Sequence, residues 1–206
     1  MDEIVKQALA RWPNVPHCTG WLRLDARGHW RMRDEAEQAR NGPGTPIRHA
    51  ALLGFINRNY ECDERGQWFF QNGPQRVYVE LEYTPWVVRL SCDEGVGGGA
   101  LTLTDHTGQP FVPVASFLDD RGAVLFADGE ATTPSARIAV LHDHDLELFS
   151  SFATLADDGS GGVFHWRDDV ALPLQAVRRE EVAARFGFVA SPAQAARAAQ
   201  DEAGDT

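Results

Sequence analysis

The chain has 206 residues, 43% of them hydrophobic and 24% charged, which is the composition of a folded globular protein rather than a disordered one. Its 19 Lys+Arg against 30 Asp+Glu give a formal net charge of −11, which argues against long nucleic acid as a partner. No apolar run approaches the roughly 18 residues of a membrane helix, and the opening MDEIVKQALARW lacks the apolar core of a secretion signal.

Residues 2–12 read as a helix, with Ile4, Val5, Ala8, Leu9 and Trp12 at helical spacing until Pro13 stops it. A repeat follows. Asp25-Ala26-Arg27-Gly28-His29-Trp30 recurs 38 residues on as Asp63-Glu64-Arg65-Gly66-Gln67-Trp68. Asp119-Asp120-Arg121-Gly122 is a third copy, and Asp105-His106-Thr107-Gly108 a looser one. The Asp accepts hydrogen bonds from backbone just ahead of it, and the Gly takes the left-handed conformation that closes a hairpin turn. Calcium does not fit, because Arg stands where an oxygen ligand would. Each copy is therefore expected to join two strands.

Thr45-Pro46 reads as the cap and first turn of a helix, Ile47–Arg58, with Ala51, Leu52, Phe55 and Ile56 on one side. Alternation from Val77 to Glu82 marks a strand, and Thr84-Pro85-Trp86 turns into another ending near Leu90. The Gly-rich run from Asp93 to Gly99 reads as a linker. Beyond it, β-rich segments are Ala100–Thr104, Phe111–Phe117, Val124–Ala127, Arg137–His142, Leu146–Leu155, Val163–Arg167 and Val170–Leu174. Arg178 to Phe186 reads as a helix closed by Gly187, and Ser191-Pro192 opens an Ala-rich last segment. The expected organisation is α+β, mostly β. Residues 1–92 form an N-terminal unit, 93–175 a barrel-like β unit, and 176–206 C-terminal helices with an acidic tail.

Three widely spaced cysteines, Cys18, Cys62 and Cys92, read as reduced thiols of a cytoplasmic protein. His142-Asp143-His144-Asp145 offers two histidines for one face of a strand, the start of a metal site and of a metal-dependent hydrolase; as a hairpin turn it needs no metal. Asp157-Asp158-Gly159-Ser160-Gly161-Gly162 reads as a hairpin connection. No nucleophile elbow, zinc-protease motif or dinucleotide loop occurs, and no cofactor is implied. What stands out is an aromatic and arginine set, Trp30, Arg48, His49, Arg76, Tyr78 and Trp86, of the types that stack on and pair with flat anions.

Trp12-Pro13, Cys18, the run from Gly20 to Trp30, Pro46-Ile47, Gly66-Gln67-Trp68 and Thr84-Pro85-Trp86 together resemble bacterial domain-of-unknown-function proteins with a duplicated β-rich core, or a sister family. The resemblance covers residues 12–90 well and 100–170 loosely. It implies two similar halves, the second like a pleckstrin-homology barrel, and a site at their junction for a nucleotide-like molecule in signalling. No enzymatic activity is established for such proteins. One departure matters: relatives carry Arg about three residues after the helix-opening Pro, where His49 stands here, beside Arg48.

The reading is a non-enzymatic module for a small anionic or nucleotide-like ligand, with Trp30, Arg48, His49, Arg76, Tyr78 and Trp86 as the candidates for a site at the interface of its two units. A protein-interaction scaffold using the second unit and the C-terminal helix is the alternative. Charge supports the first: up to Leu90 there are 12 Lys+Arg against 11 Asp+Glu, and afterwards 7 against 19. The acidity belongs to the second half and leaves the first free to meet an anion.

Overall fold

The computed structural model describes residues 1–93, 100–129, 137–156, 161–167 and 169–204. They form two compact units. The first holds Met1–Asp25, His29–Tyr83 and Phe188–Thr206, and the second Ala26–Gly28 and Thr84–Gly187.

The first unit starts with α1 (Glu3–Arg11), which buries Val5. There follow β1 (Cys18–Leu24), β2 (Trp30–Met32), α2 (Glu35–Ala39), β3 (Thr45–Pro46), α3 (Ala50–Arg58), β4 (Tyr60–Cys62), β5 (Trp68–Asn72) and β6 (Gln75–Leu81). The sheet order is β3-β2-β1-β6-β5-β4, with β1 and β6 parallel and the other pairs antiparallel. The helix expected from Ile47 begins three residues later. Thr45 and Pro46 pair with β2 instead, at a sheet edge where proline's missing N–H costs nothing. His49 then caps α3, its Nδ1 accepting the Leu52 N–H at 3.3 Å. The short α2 was not expected. Asp34 caps it by accepting the Glu37 N–H at 2.8 Å.

The second unit contains β7 (Trp86–Asp93), β8 (Ala100–Asp105), β9 (Pro110–Phe111), β10 (Ala115–Asp119), β11 (Val124–Asp128), β12 (Arg137–Leu141), α4 (Leu146–Ser151), β13 (Ala153–Leu155), β14 (Gly161–Arg167), β15 (Val170–Val177) and α5 (Val182–Arg185). They build one nine-stranded sheet in the order β13-β14-β15-β10-β11-β12-β7-β8-β9. It wraps a core that includes Phe111, Phe126, Phe149, Phe164 and Trp166. Strands β8 and β14 approach each other across that core. Among the described residues, however, no hydrogen bonds join the edge strands β9 and β13, so the expected barrel is an open, curled sheet.

Two boundaries differ from expectation. The stretch 94–99, read as a linker, lies outside the described residues. The strands flanking it pair directly, with Asp93 opposite Ala100, so they are neighbours within one unit. The division falls after Tyr83, because β7 is hydrogen-bonded to β8 and β12. The segment expected as a separate 176–206 is divided too. Its last helix, α6 (Pro192–Gly204), packs on β1 and β6 of the first unit. Leu146–Leu155, expected as one strand, is α4 followed by the short β13, since Leu146 and Phe149 sit one helical turn apart and face the core.

The two units repeat one design. Strands β1 to β6 correspond in order to β10 to β15, with α3 answering to α4. Even the register repeats. Leu24 faces Trp30 and Leu81, as Leu118 faces Val124 and Ala176. Phe70 faces Tyr60 and Val77, as Phe164 faces Ala153 and Leu172. Each helix sets a phenylalanine against the strand aromatic, Phe55 on Phe70 at 5.3 Å and Phe149 on Phe164 at 4.9 Å.

All four Asp repeats are hairpin turns. In the third, Asp119 Oδ1 accepts the N–H groups of Arg121 at 2.9 Å and Ala123 at 2.8 Å, and Gly122 has φ 83°. A Cβ at Gly122 would meet nothing within 4 Å, so the requirement there is conformational and not steric. Gly122→Ala is expected to destabilise the second unit by about 1 kcal/mol through left-handed strain alone, measured by urea unfolding.

Candidate functional site

The aspartates of the turns use their two oxygens differently. Oδ1 takes the turn amides, and Oδ2 takes a donor from elsewhere in the same unit. For Asp25 that donor is Arg31 at 3.2 Å, for Asp105 Arg137 at 2.7 Å and for Asp119 Arg179 at 3.2 Å. Asp63 differs. Its Oδ1 accepts Arg65 N–H and Gln67 N–H, both at 2.9 Å, but its Oδ2 accepts the Tyr78 hydroxyl at 3.1 Å.

Beside this turn a groove of about 600 Å³ opens on the first unit. His17, Glu61, Cys62, Asp63, Glu64, Arg65, Phe69, Arg76 and Tyr78 line it. Arg76 lies flat on Phe69, its guanidinium carbon 4.5 Å from the ring centre. The edge of His17 meets Tyr78 at 5.7 Å. Burial raises the Tyr78 hydroxyl above its ordinary pKa, and Arg76 beside it works the other way. Burial, then the charge of Asp63, pushes the Cys62 thiol up to about 11, so it stays protonated near neutral pH. Asp63 is taken up by the turn and Tyr78, and Glu61 lies 3.6 Å from the Met1 ammonium. Among the described residues, neither Arg65 nor Arg76 has a carboxylate within 4.0 Å.

Of the six residues the sequence singled out, the groove brings together Arg76 and Tyr78. Trp30 is 2% exposed, donates its indole N–H to Asn57 at 2.7 Å and meets Tyr60 edge-on; it belongs to the core of the first unit and offers no face for stacking. Arg48 and His49 are exposed, and the His49 ring caps α3. Trp86 belongs to the second unit, where it packs between Arg137 and His106. Sequence reasoning missed His17, Arg65 and Phe69. Arg65 lay inside the repeat, and its place beside a strand bearing Arg76 and Tyr78 was the available signal.

The second histidine cluster is a helix start. His142 Nδ1 accepts the His144 N–H at 3.1 Å, and the two rings lie 4.8 Å apart. Asp145 accepts from Arg89 Nε and Nη2, at 2.7 and 2.8 Å, and from the Leu90 N–H at 2.9 Å. Burial opposes its charge, but these bonds outweigh it and hold the carboxyl below the usual range. Burial, then the Arg89 charge, lowers the pKa of His142. No group of three His, Cys, Asp or Glu suited to a metal occurs among the described residues. Asp157 to Ser160 and Asp168 lie outside them.

The register carries a comparison internal to the molecule. The positions of Cys62, Phe69, Arg76 and Tyr78 correspond in the second unit to Leu155, Val163, Ala171 and Pro173. The strands repeat without Arg76 and Tyr78, so the strand pairing does not demand them.

One solved structure shares the architecture. A DUF1285 family protein from Silicibacter pomeroyi aligns with a TM-score of 0.51 at 17% identity, over 88% of this chain and 98% of that one. A DUF1285 family protein from Shewanella baltica aligns with a TM-score of 0.42 at 15% identity, over 64% of this chain and 91% of the other. The first likeness is one of fold. A search of the curated proteins found no match. The model of family DUF2944, described as "Protein of unknown function (DUF2946)", matches residues 1–193, and the chain belongs to that family.

Proposed function

We propose that the protein is a non-enzymatic module that binds a small anionic, nucleotide-like ligand in the groove of its first unit and acts in signalling. The observation that carries this reading is Arg76, laid on Phe69 beside the Tyr78 hydroxyl and facing the groove without a carboxylate partner. A phosphate there would gain charge-assisted hydrogen bonds from Arg76 and Arg65, and the exposed His17 ring would offer an aromatic group a surface beside them. The replacement of Arg76 and Tyr78 by Ala171 and Pro173 in the repeated unit supports the same reading. We place its work in the cytoplasm, in keeping with three unpaired cysteines. Among the described residues no helix is long and apolar enough to cross a membrane.

A panel of nucleotides tested by thermal shift checks the proposal. A ligand at about 100 times its Kd adds about 2.7 kcal/mol, enough to raise the melting midpoint by several degrees. A panel without a single shift would leave the reading without support.

A further inference from the structure

We infer that the C-terminal segment, Phe188 through α6, is a strap that holds the groove in its binding form; this rests on the ligand-binding reading above. The segment belongs to the first unit and is fixed at two places that the groove also uses. One is the Asp63 turn: the Val189 N–H donates to the Gly66 carbonyl at 2.9 Å, directly behind Asp63, Glu64 and Arg65 in the groove wall. The other is β6. The Leu81 N–H donates to the Ala190 carbonyl at 2.8 Å. Glu80 accepts the Ser191 hydroxyl at 2.5 Å and the Ala193 N–H at 3.0 Å, which anchors the first turn of α6.

Alternation on β6 puts both functions on one face. Arg76 and Tyr78 point into the groove, and Glu80, two residues further on, points to α6. Glu80 is 7% exposed and sees the charge of the buried Arg33, so its carboxylate is a fixed post. The strap thus holds the turn that carries Arg65 and the strand that carries Arg76, the two cations the ligand would need in register. Releasing α6 frees the Gly66 carbonyl, loosens the turn and separates the pair. Binding and strap docking therefore favour each other.

Two variants of the full chain test this. Ser191→Ala removes the cap of α6 and leaves Glu80 opposite Arg33. Val189→Pro removes the N–H that holds Gly66. Hydrogen exchange reads the strap, and the alkylation rate of Cys62 by N-ethylmaleimide, with Cys92 of the second unit as internal reference, reads the groove wall without any ligand. Ser191→Ala is expected to speed exchange in the first turn of α6 about fivefold. Both variants are expected to speed alkylation of Cys62 severalfold relative to Cys92, and to weaken whichever nucleotide binds the natural chain. Faster exchange in α6 with an unchanged Cys62 rate would overturn the strap, as would α6 amides that exchange no faster in either variant. If no nucleotide binds the natural chain, the ligand reading fails, while the exchange and alkylation results still decide whether the strap holds the groove.

Discussion

Asp105→Ala is expected to destabilise the second unit by about 3 kcal/mol, the scale of breaking a buried ion pair. The Asp105 carboxylate is fully buried. Its Oδ1 accepts the Thr107 N–H at 2.9 Å, the Thr107 hydroxyl at 2.6 Å and the Gln109 N–H at 3.1 Å. Its Oδ2 accepts Arg137 at 2.7 Å. Arg137 also binds Asp128 and lies over Phe111 and Trp86, so one aspartate ties the β8–β9 turn to the β11–β12 pair. Alanine would leave two amides of the turn without an acceptor and Arg137 with one of its two carboxylate partners. Asp105→Asn keeps an acceptor for the turn amides but loses both the charge and the oxygen that accepts Arg137, so its cost should fall below that of alanine by the share the turn contributes. Equal losses for the two variants, in urea unfolding, would mean that the ion pair and not the turn carries the effect.

The neighbouring His106 gives the second large effect, on pH dependence. Burial lowers its pKa to about 4, against a smaller opposing pull from Asp105. Its Nδ1 accepts the Val87 N–H at 3.4 Å and its ring lies against Trp86, an arrangement suited to the neutral imidazole. Unfolded, the group takes up a proton below about pH 6.5, whereas the folded protein does so only near 4. The unfolded state therefore binds more protons between these values. Stability contributed by neutral His106 is intact at pH 7, falls as pH drops from about 6.5 to 4, and levels off below. The expected loss is about 3 kcal/mol. His106→Gln should flatten that part of the stability profile, and a slope as steep as in the natural chain would assign the pH response to other groups.

Local chemistry was legible in the sequence wherever one short segment decides the outcome. Asp63 and Gly66 make their turn with residues inside the repeat, so the spacing alone specified it. Partners distant in sequence were not legible. Nothing near Thr45-Pro46 reveals that β2 will capture it as a strand and delay α3 to Ala50. Leu146 to Ser151 has apolar residues that fit either period, so spacing alone did not decide between strand and helix. The Gly-rich stretch suggested a boundary by composition, yet boundaries follow pairing, and β7 pairs in the second unit. The duplication showed only as Asp-x-Arg-Gly, because register is kept by backbone hydrogen bonds while Tyr78 and Pro173 share nothing as side chains. For the site, residue type pointed to Arg76 and Tyr78. The same argument included Trp30, since a tryptophan that fills a core and one that stacks on a ligand look alike until Asn57 is found on its indole N–H.

The central claim is that Arg76 receives an anion in the groove. Isothermal titration of nucleotides into the natural chain, Arg76→Ala and Arg48→Ala tests it most directly. At least one nucleotide is expected to bind the natural chain. Arg76→Ala should weaken it by about ten- to a hundredfold, the worth of a charged hydrogen bond. Arg48→Ala, on the exposed stretch before α3, should leave the affinity unchanged. Binding that survives Arg76→Ala at full strength, or no binding by the natural chain, would contradict the account.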